Sequence, residues 1–277
     1  MRYQFVDCRW ELGSPGKGRE LYLAGHIPGA SFLDVDEDLS APPGSAGRHP
    51  LPAVEDFARA ASRAGIGDGV CVVTYGNMGG AERLWWLLRH FGHDHCAVLD
   101  LAGWLGPLRA GEEEIEPADF VARPREDDTI SPTDLAARLG ELVIVDARTP
   151  ERFRGEPNPI DKVPGRIPGA RNAPWNEPLP DLPPGELVVV DARVPPRWRG
   201  EENQVDRVPG RVPGALNAPW NEPLPELPAG ETAVYCGSGV TASVIVHRLH
   251  LAGRDARLYP GSWSEWEQHA ELPVERG

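Results

Sequence analysis

The chain has 277 residues, a hydrophobic fraction of 40% and a formal net charge of -14 at pH 7. This length fits two domains better than one, and the apolar fraction is sufficient for packed cores. The large negative charge argues against nucleic acid and anionic membranes as partners. Its four cysteines have no paired spacing, so neither a disulfide framework nor a zinc site is expected. We expect no cofactor, no membrane-spanning segment, no signal peptide and a cytoplasmic location.

The first half of the chain alternates short apolar strands with helices. Strands are predicted at residues 5–7, 70–75 and 97–101, and helices at residues 54–64 and 81–91. Strands separated by helices of this size are typical of a parallel α/β sheet. The charged, nonperiodic stretch 123–128 is interpreted as a linker between a domain of residues 1–122 and a second domain of residues 129–277.

The second half repeats this order of elements. A helix is predicted at residues 132–139, because Ser131 is followed by a proline at the first helical position. A strand is predicted at residues 142–146, and a further strand and helix at residues 232–234 and 240–251.

A direct repeat lies inside the second half. Residues 141–185 match residues 186–230 at a constant offset of 45, with 12 differing positions. Each copy contains Asp-Ala-Arg after an apolar run, then an Arg-aromatic-Arg-Gly-Glu stretch and a Pro-Gly-Ala element. Two copies are too few for a solenoid, so a tandem duplication within one domain fits better.

The segment 235–241, Tyr-Cys-Gly-Ser-Gly-Val-Thr, connects the strand at 232–234 to the helix at 240–251. A glycine-rich turn between a strand and a helix directs backbone N–H groups, and the positive end of the helix, at the sulfur of Cys236. Such surroundings favour the thiolate, which is the nucleophile. The alternative is a buried cysteine beside a tight turn.

These residues resemble the rhodanese family, and within it the two-domain sulfurtransferases that act on 3-mercaptopyruvate or thiosulfate. The resemblance covers nearly the whole chain and implies two rhodanese-like domains, each a parallel sheet flanked by helices. It is carried by residues 6–9, 25–30, 48–52, 84–89 and 99–104 in the first half, and by the Asp-Ala-Arg, Pro-Gly-Ala and 236–241 elements in the second. Aligning Tyr75 with Tyr235 puts Gly76 at the position of the nucleophile, so the first domain is expected to be non-catalytic.

The resemblance implies that Cys236 is the catalytic residue and that the N–H groups of the loop cradle the transferred sulfur. The residues of that cradle are Gly237, Ser238, Gly239, Val240 and Thr241. It also assigns donor binding to Arg193 and Arg197, because a guanidinium matches a carboxylate with two hydrogen bonds. His26 is expected to contact the substrate, with a turn-stabilising hydrogen bond as the alternative. The other cysteines are expected to be inert.

The duplication leaves open which copy lies beside the cysteine strand. Asp191 precedes Cys236 by 45 residues and Asp146 precedes it by 90, whereas Asp7 precedes Gly76 by 69. The shorter spacing favours the second copy. Arg148 and Arg152 replace Arg193 and Arg197 if the first copy is in register, and the displaced copy is expected either to pack at the edge of the domain or to donate a strand to a neighbouring molecule.

The expected reaction moves a sulfane sulfur from mercaptopyruvate or thiosulfate, through a persulfide on Cys236, to cyanide or a thiol such as thioredoxin. The loop carries no cationic side chain directly after the cysteine, which favours mercaptopyruvate. A cysteine phosphatase would need an arginine where this chain has Ala242. The remaining alternative is a catalytically silent binding or sulfur-carrier module.

Overall fold

A computed structural model describes residues 2–139, 145–146, 171–172, 187–201, 203–213, 215–224, 227 and 229–274. The chain folds as two compact units. The first comprises Met1–Gly44 and His49–Asp128, and the second comprises Ser45–Arg48 and Thr129–Gly277. The short segment Ser45–Arg48 therefore belongs to the second unit, although the chain on both sides of it belongs to the first.

The first unit is a parallel four-stranded sheet with helices between its strands, as predicted. The elements are β1 (Arg2–Cys8), α1 (Lys17–Ala24), β2 (Ser31–Phe32), α2 (Val54–Arg63), β3 (Val70–Gly76), α3 (Gly80–His90) and β4 (Cys96–Leu99). The strand order is β2-β1-β3-β4. Helix α1 is not evident from the sequence, because it buries only Gly18 and Tyr22 and so lacks a continuous apolar face.

The stretch 123–128, interpreted as a linker, makes backbone contacts within the first unit. The N–H of Arg123 donates to the carbonyl of Phe91 at 2.9 Å, and the N–H of Arg125 donates to the carbonyl of His90 at 2.7 Å. The chain thus stays attached to the end of α3 after the last strand of this unit.

The second unit contains a sheet of the same topology. Its elements are α4 (Pro132–Ala137), β5 (Val145–Asp146), β6 (Arg171–Asn172), β7 (Leu187–Asp191), α5 (Pro195–Trp198), β8 (Leu216–Asn217), β9 (Glu231–Tyr235), α6 (Ala242–Leu251), β10 (Arg257–Leu258) and α7 (Ser262–Trp266). The four-stranded sheet has the order β10-β9-β7-β8, and its pairings are parallel. The helix expected after Ser131 is present, and the Ser131 hydroxyl accepts from the N–H of Asp134.

Strand β7, which pairs with the cysteine strand β9, comes from the second repeat copy. Asp191 is in register with Tyr235, so the copy favoured by the shorter spacing occupies this position. In the first copy, β5 pairs with β6. The packing predicted for the rest of that copy, including Arg148 and Arg152, falls outside the described residues.

The core of the second unit is aromatic. Tyr235 and Tyr259 pack with Trp263 and Trp266 in one buried cluster. This cluster fixes α7 against the end of β9, where the loop of Cys236 begins. Within the described residues, no helix has the length and apolar character needed to cross a membrane.

Candidate active site

Cys236 directly follows β9, at the carboxyl end of the parallel sheet. Its relative exposure is 1%, and the chain then turns through residues 237–241 into α6. The carboxyl ends of parallel strands are where open α/β sheets place their ligands. The strand–loop–helix arrangement predicted around the cysteine is therefore present.

One backbone donor points at the sulfur. The N–H of Gly239 donates to Sγ of Cys236 at 3.1 Å. Gly239 has φ +84°, in the left-handed region that glycine adopts without the strain of a Cβ. The loop thus uses glycine to turn an N–H group toward the thiol, where it stabilises negative charge on sulfur.

The start of α7 holds the backbone of the cysteine loop. The N–H of Cys236 donates to Oγ of Ser262 at 3.1 Å, and Trp263 and Ser264 donate their N–H groups to the carbonyls of Cys236 and Gly237, both at 3.0 Å. Ser262 has φ +52°, uncommon for a residue other than glycine. Ser262 was not predicted from the sequence, since no motif links it to a cysteine 26 residues earlier.

Arg193 is enclosed, with a relative exposure of 1%. Its Nε and Nη2 donate to the carboxylate of Asp191, at 3.1 and 2.7 Å, and Nη2 also donates to the carbonyl of Gly210 at 2.7 Å. Burial alone would lower the pKa of Arg193, but the charge of Asp191 raises it above its ordinary value. In this geometry the guanidinium of Arg193 is bonded to groups of its own unit, which favours a structural role over the substrate contact predicted for it.

The first unit contains the same clamp, but it has a glycine at the position that corresponds to Cys236. Arg9 donates to both carboxylate oxygens of Asp7 and, through Nη2, to the carbonyl of Gly25 at 2.6 Å. Asp7 is in register with Tyr75, as Asp191 is with Tyr235. Gly76 follows Tyr75 in the position that Cys236 takes after Tyr235. An arginine clamp that recurs beside a glycine supports the fold rather than the chemistry of a cysteine.

Arg197 differs from Arg193 in each of these respects. Its side chain is 20% exposed. Arg197 lies six residues after Asp191, and the first unit has Gly13 at the corresponding position, six residues after Asp7. Arg197 donates Nε to Oδ2 of Asp206 at 2.9 Å and also pairs Nη2 with Oδ1. A Cβ placed on Gly237 would lie 2.5 Å from Nη2 of Arg197. Its guanidinium is thus held against the residue that follows Cys236.

Asp206 is the carboxylate that orients Arg197, and it was not predicted from the sequence. Burial alone would raise its pKa, but the hydrogen bond from Arg197 and the charge of Arg193 lower it below its ordinary value. Asn203 also donates to it, at 3.2 Å. Asp206 therefore remains ionised and keeps the forked donor of Arg197 in place.

His26 lies in the first unit and makes structural contacts there. Its ring is fully buried and stacks on Tyr22 at a centroid distance of 4.0 Å. Nδ1 lies 2.8 Å from the carbonyl of Tyr22, and Nε2 lies 3.4 Å from Oε1 of Glu113. Both ring nitrogens have partners within the unit, so the turn-stabilising alternative fits His26 better than the predicted substrate contact.

The remaining predicted residues lie in the cysteine loop. Ser238 and Val240 are buried, with 7% and 1% exposure. Thr241 precedes α6, and its hydroxyl makes no capping hydrogen bond there. Gly239 supplies an N–H that reaches Sγ, and the cradle role of these three residues stays a prediction.

The other cysteines are placed differently from Cys236. Burial and the charge of Asp7 raise the pKa of Cys8 well above its ordinary value, and burial raises the pKa of Cys96 to about 12. All four cysteines are free thiols. Cys236 is the one that lies in the loop between β9 and α6, with a backbone N–H directed at its sulfur.

Sequence comparisons agree with this arrangement. A family model described as "Rhodanese-like domain" matches residues 1–104 and 182–269. A Mycobacterium tuberculosis protein provisionally named thiosulfate sulfurtransferase SseB is 36% identical over 98% of this chain and 90% of its own length. The 3-mercaptopyruvate sulfurtransferase of Escherichia coli is 35% identical over 98% of this chain and 92% of its own length.

A structural comparison gives the same relationship. The crystal structure of SseA from Escherichia coli is similar to this chain with a TM-score of 0.65 and 28% identity. The similarity covers 95% of this chain and 93% of that one. It therefore extends over both units.

Proposed function

This chain belongs to the rhodanese family and is a sulfurtransferase, and we propose that Cys236 carries the sulfur as a persulfide. The observation that carries the proposal is the N–H of Gly239, which donates to Sγ at 3.1 Å. A donor directed at this sulfur stabilises a thiolate before transfer and favours an anionic persulfide after it.

In the first step the Cys236 thiolate attacks the outer sulfur of the donor. With mercaptopyruvate, an S–S bond forms as the C–S bond breaks, and the thiol proton moves to the carbon that leaves as the methyl group of pyruvate. With thiosulfate, the S–S bond of the donor breaks and sulfite leaves with the electron pair. Both routes give the same enzyme persulfide, as expected of covalent catalysis with two half-reactions.

In the second step the outer sulfur passes to an acceptor. Cyanide attacks it and leaves as thiocyanate, while a thiolate leaves as a persulfide; both regenerate the Cys236 thiolate. A low-molecular-weight thiol or reduced thioredoxin is the proposed acceptor in the cell. The four free cysteines support the cytoplasmic location expected from the sequence.

Arg197 is the proposed donor-binding cation. It lies against Gly237 and is partly exposed, so its guanidinium can pair with the carboxylate of an α-keto acid or with sulfonate oxygens. Arg193 has a positioning role in this proposal: it holds Asp191 at the end of β7 and contacts Asp206, which orients Arg197.

Mercaptopyruvate is the donor we favour, with thiosulfate as the alternative. Relatives of comparable identity carry both names. Residues 237–239 contribute no cation of their own, and this favours a donor with a single carboxylate over a compact dianion.

Intact-protein mass spectrometry tests the proposal. After incubation with mercaptopyruvate, and separately with thiosulfate, the wild type should gain the mass of one sulfur and lose it on addition of cyanide. Cys236→Ser should gain none, and Cys71→Ser is the matched control that should behave as the wild type. No gain in the wild type with either donor would contradict the proposal and favour a catalytically silent module.

A further inference from the structure

Arg48 comes from a segment that is distant in sequence but fixed to the second unit. Its N–H donates to Oγ of Ser264 at 2.8 Å, and the preceding Gly47 has φ +105°. A Cβ on Gly47 would lie 2.8 Å from the carbonyl oxygen of Gly261. The backbone of Arg48 is thus anchored on α7, the same helix whose start holds the loop of Cys236.

The guanidinium of Arg48 extends from this anchor toward the cysteine loop. Nη1 donates to the carbonyl of Val205 at 3.1 Å, and Nη2 donates to the carbonyl of Gly237 over a longer 3.4 Å. Nε is buried and has no hydrogen-bond partner among the described residues. A buried donor without a partner is costly, and the contact with Gly237 is at the long end of the range for hydrogen bonds.

Two guanidinium groups meet beside Gly237, the residue that follows Cys236. A Cβ placed on Gly237 would lie 3.1 Å from Nη2 of Arg48, as well as 2.5 Å from Nη2 of Arg197. Burial, followed by the charge of Arg197, lowers the pKa of Arg48, while Asp206, Cys236 and Glu267 act in the opposite direction. Like charges repel at this range, so their convergence has to be offset by negative charge.

The nearby carboxylates offset that charge only in part. Asp206 pairs with Arg197 and is shared with the buried Arg193, and burial raises the pKa of Glu267, which makes its ionised form less favourable. An anion at Gly237, the residue after Cys236, would be within reach of both guanidiniums.

We propose that Arg48 is a second anion-binding residue of the sulfur-transfer site, which together with Arg197 holds the charged end of the sulfur donor beside Cys236. This inference rests on the proposed function. The ligand chemistry is an oxyanion, either the carboxylate of mercaptopyruvate or the sulfonate of thiosulfate. With Arg48 included, the site has the cations that the sequence of the loop lacks, and so also suits a dianionic donor.

The first experiment tests anion binding without using catalysis. The rates at which Cys236 is alkylated by the anion iodoacetate and by neutral iodoacetamide are compared, with loss of the free Cys236 thiol followed by mass spectrometry. In Arg48→Gln the ratio of the iodoacetate rate to the iodoacetamide rate should fall about tenfold, as expected for the loss of one charged hydrogen bond. The iodoacetamide rate should fall less than the iodoacetate rate, because it reports only the smaller thiolate fraction that is left when a nearby cation is removed.

Arg257→Gln is the matched control. It removes the same charge from the same unit, but Arg257 pairs with Glu231 at 3.2 Å, at the start of β9 and thus at the opposite end from Cys236. Its rate ratio should equal that of the wild type. Arg48→Lys, which keeps the charge but not the fork, should retain part of the preference for iodoacetate, and thermal unfolding checks that each variant is folded.

The second experiment identifies the oxyanion. In Arg48→Gln the KM for the donor that contacts Arg48 should rise about tenfold or more, with a smaller change in kcat. A rise for mercaptopyruvate alone assigns the carboxylate, and a rise for thiosulfate alone assigns the sulfonate. An equal rise for both assigns a site shared by the two donors.

Two results would overturn the inference about Arg48. One is an unchanged rate ratio and unchanged KM in Arg48→Gln. The other is an equal loss of both alkylation rates, which would mean that Arg48 acts on the loop or on the thiolate and does not bind the anion. A failure of the proposed function looks different, because the wild type itself then forms no persulfide. The ratio of the alkylation rates still reports on Arg48 in that case.

Discussion

Asp206 fixes Arg197 through both of its carboxylate oxygens, with Nε of the arginine 2.9 Å from Oδ2. The carboxylate is buried at 7% exposure, whereas the arginine reaches Gly237 and remains partly exposed. A buried anion therefore orients a cation that can still contact a ligand. In the proposed site, the position of the donor depends on this pair.

Replacing Asp206 by Asn should destabilise the protein and weaken donor binding. Loss of one partner of a buried charge pair costs about 3–5 kcal/mol, and Arg197 would lose its fixed orientation. Urea denaturation measures the free energy of unfolding. A rise in KM for mercaptopyruvate with a smaller change in kcat reports weaker donor binding. Glu201→Gln is the control: Glu201 pairs with Arg199 and is more exposed than Asp206. Its replacement should change the free energy of unfolding by less than about 1 kcal/mol.

The contribution of Asp206 should depend on pH in one direction. Because its pKa in the folded protein is lowered, its stabilisation is fully present above the unfolded pKa of about 3.9 and is lost as the pH falls through the lower folded value. The difference in unfolding free energy between wild type and Asp206→Asn should be constant above about pH 5.5 and shrink in acid. A difference that instead grows toward low pH would contradict this assignment.

Arg193→Gln should lower the stability of the fold more than it weakens donor binding. Its side chain is buried on Asp191, and Arg9 makes the same clamp on Asp7 in the unit that has a glycine in place of the thiol. We expect both Arg193→Gln and Arg9→Gln to lower the free energy of unfolding by about 3 kcal/mol or more. At a temperature where each variant is folded, the KM of Arg193→Gln should rise far less than that of Arg197→Gln. A large rise in KM without a loss of stability would indicate that Arg193 contacts the donor, as predicted from the sequence.

Gly239→Ala should slow the reaction of Cys236 beyond its effect on stability. A Cβ at φ +84° costs about 1–2 kcal/mol, and relief of that strain would move the N–H away from Sγ. Gly253→Ala is the matched control, since Gly253 has φ +72° with no atom near its Cβ. Both variants should lose similar stability, but only Gly239→Ala should slow alkylation by iodoacetamide. Equal alkylation rates in the two variants would show that the N–H of Gly239 does not contribute to the reactivity of Cys236.

Cys8 and Cys96 should resist alkylation in the native protein. Burial raises the pKa of both thiols, so at neutral pH the thiolate fraction that reacts is very small. Peptide mapping after a short treatment with iodoacetamide should find Cys236 modified and these two intact, and all of them modified in urea. Rapid labelling of Cys8 in the native state would show that β1 opens readily.

The sequence alone determined the elements whose cause is local. The alternation of apolar strands and helices predicts the parallel sheets, and the segment 235–241 predicts a cysteine between a strand and a helix with the N–H groups of the loop directed at it. The structure shows that of Gly239 within hydrogen-bond distance of the sulfur. The spacing of 45 residues between Asp191 and Cys236 also indicated which repeat copy pairs with β9. Each of these features is encoded by residues a few positions apart, or by a single spacing.

Only the tertiary structure distinguished the arginines. Arg193 and Arg197 lie four residues apart in the same motif, but one is clamped by Asp191 at the end of a buried strand and the other by Asp206 from a later loop. The contacts of Arg48, 189 residues before Gly237, and of Ser262 with the cysteine loop were not predicted, although Arg48 begins one of the segments that carry the family resemblance. The charge and polarity of a side chain follow from its residue type. Its partner depends on the packing of β9 and α7, because that packing decides which distant groups come within hydrogen-bond distance.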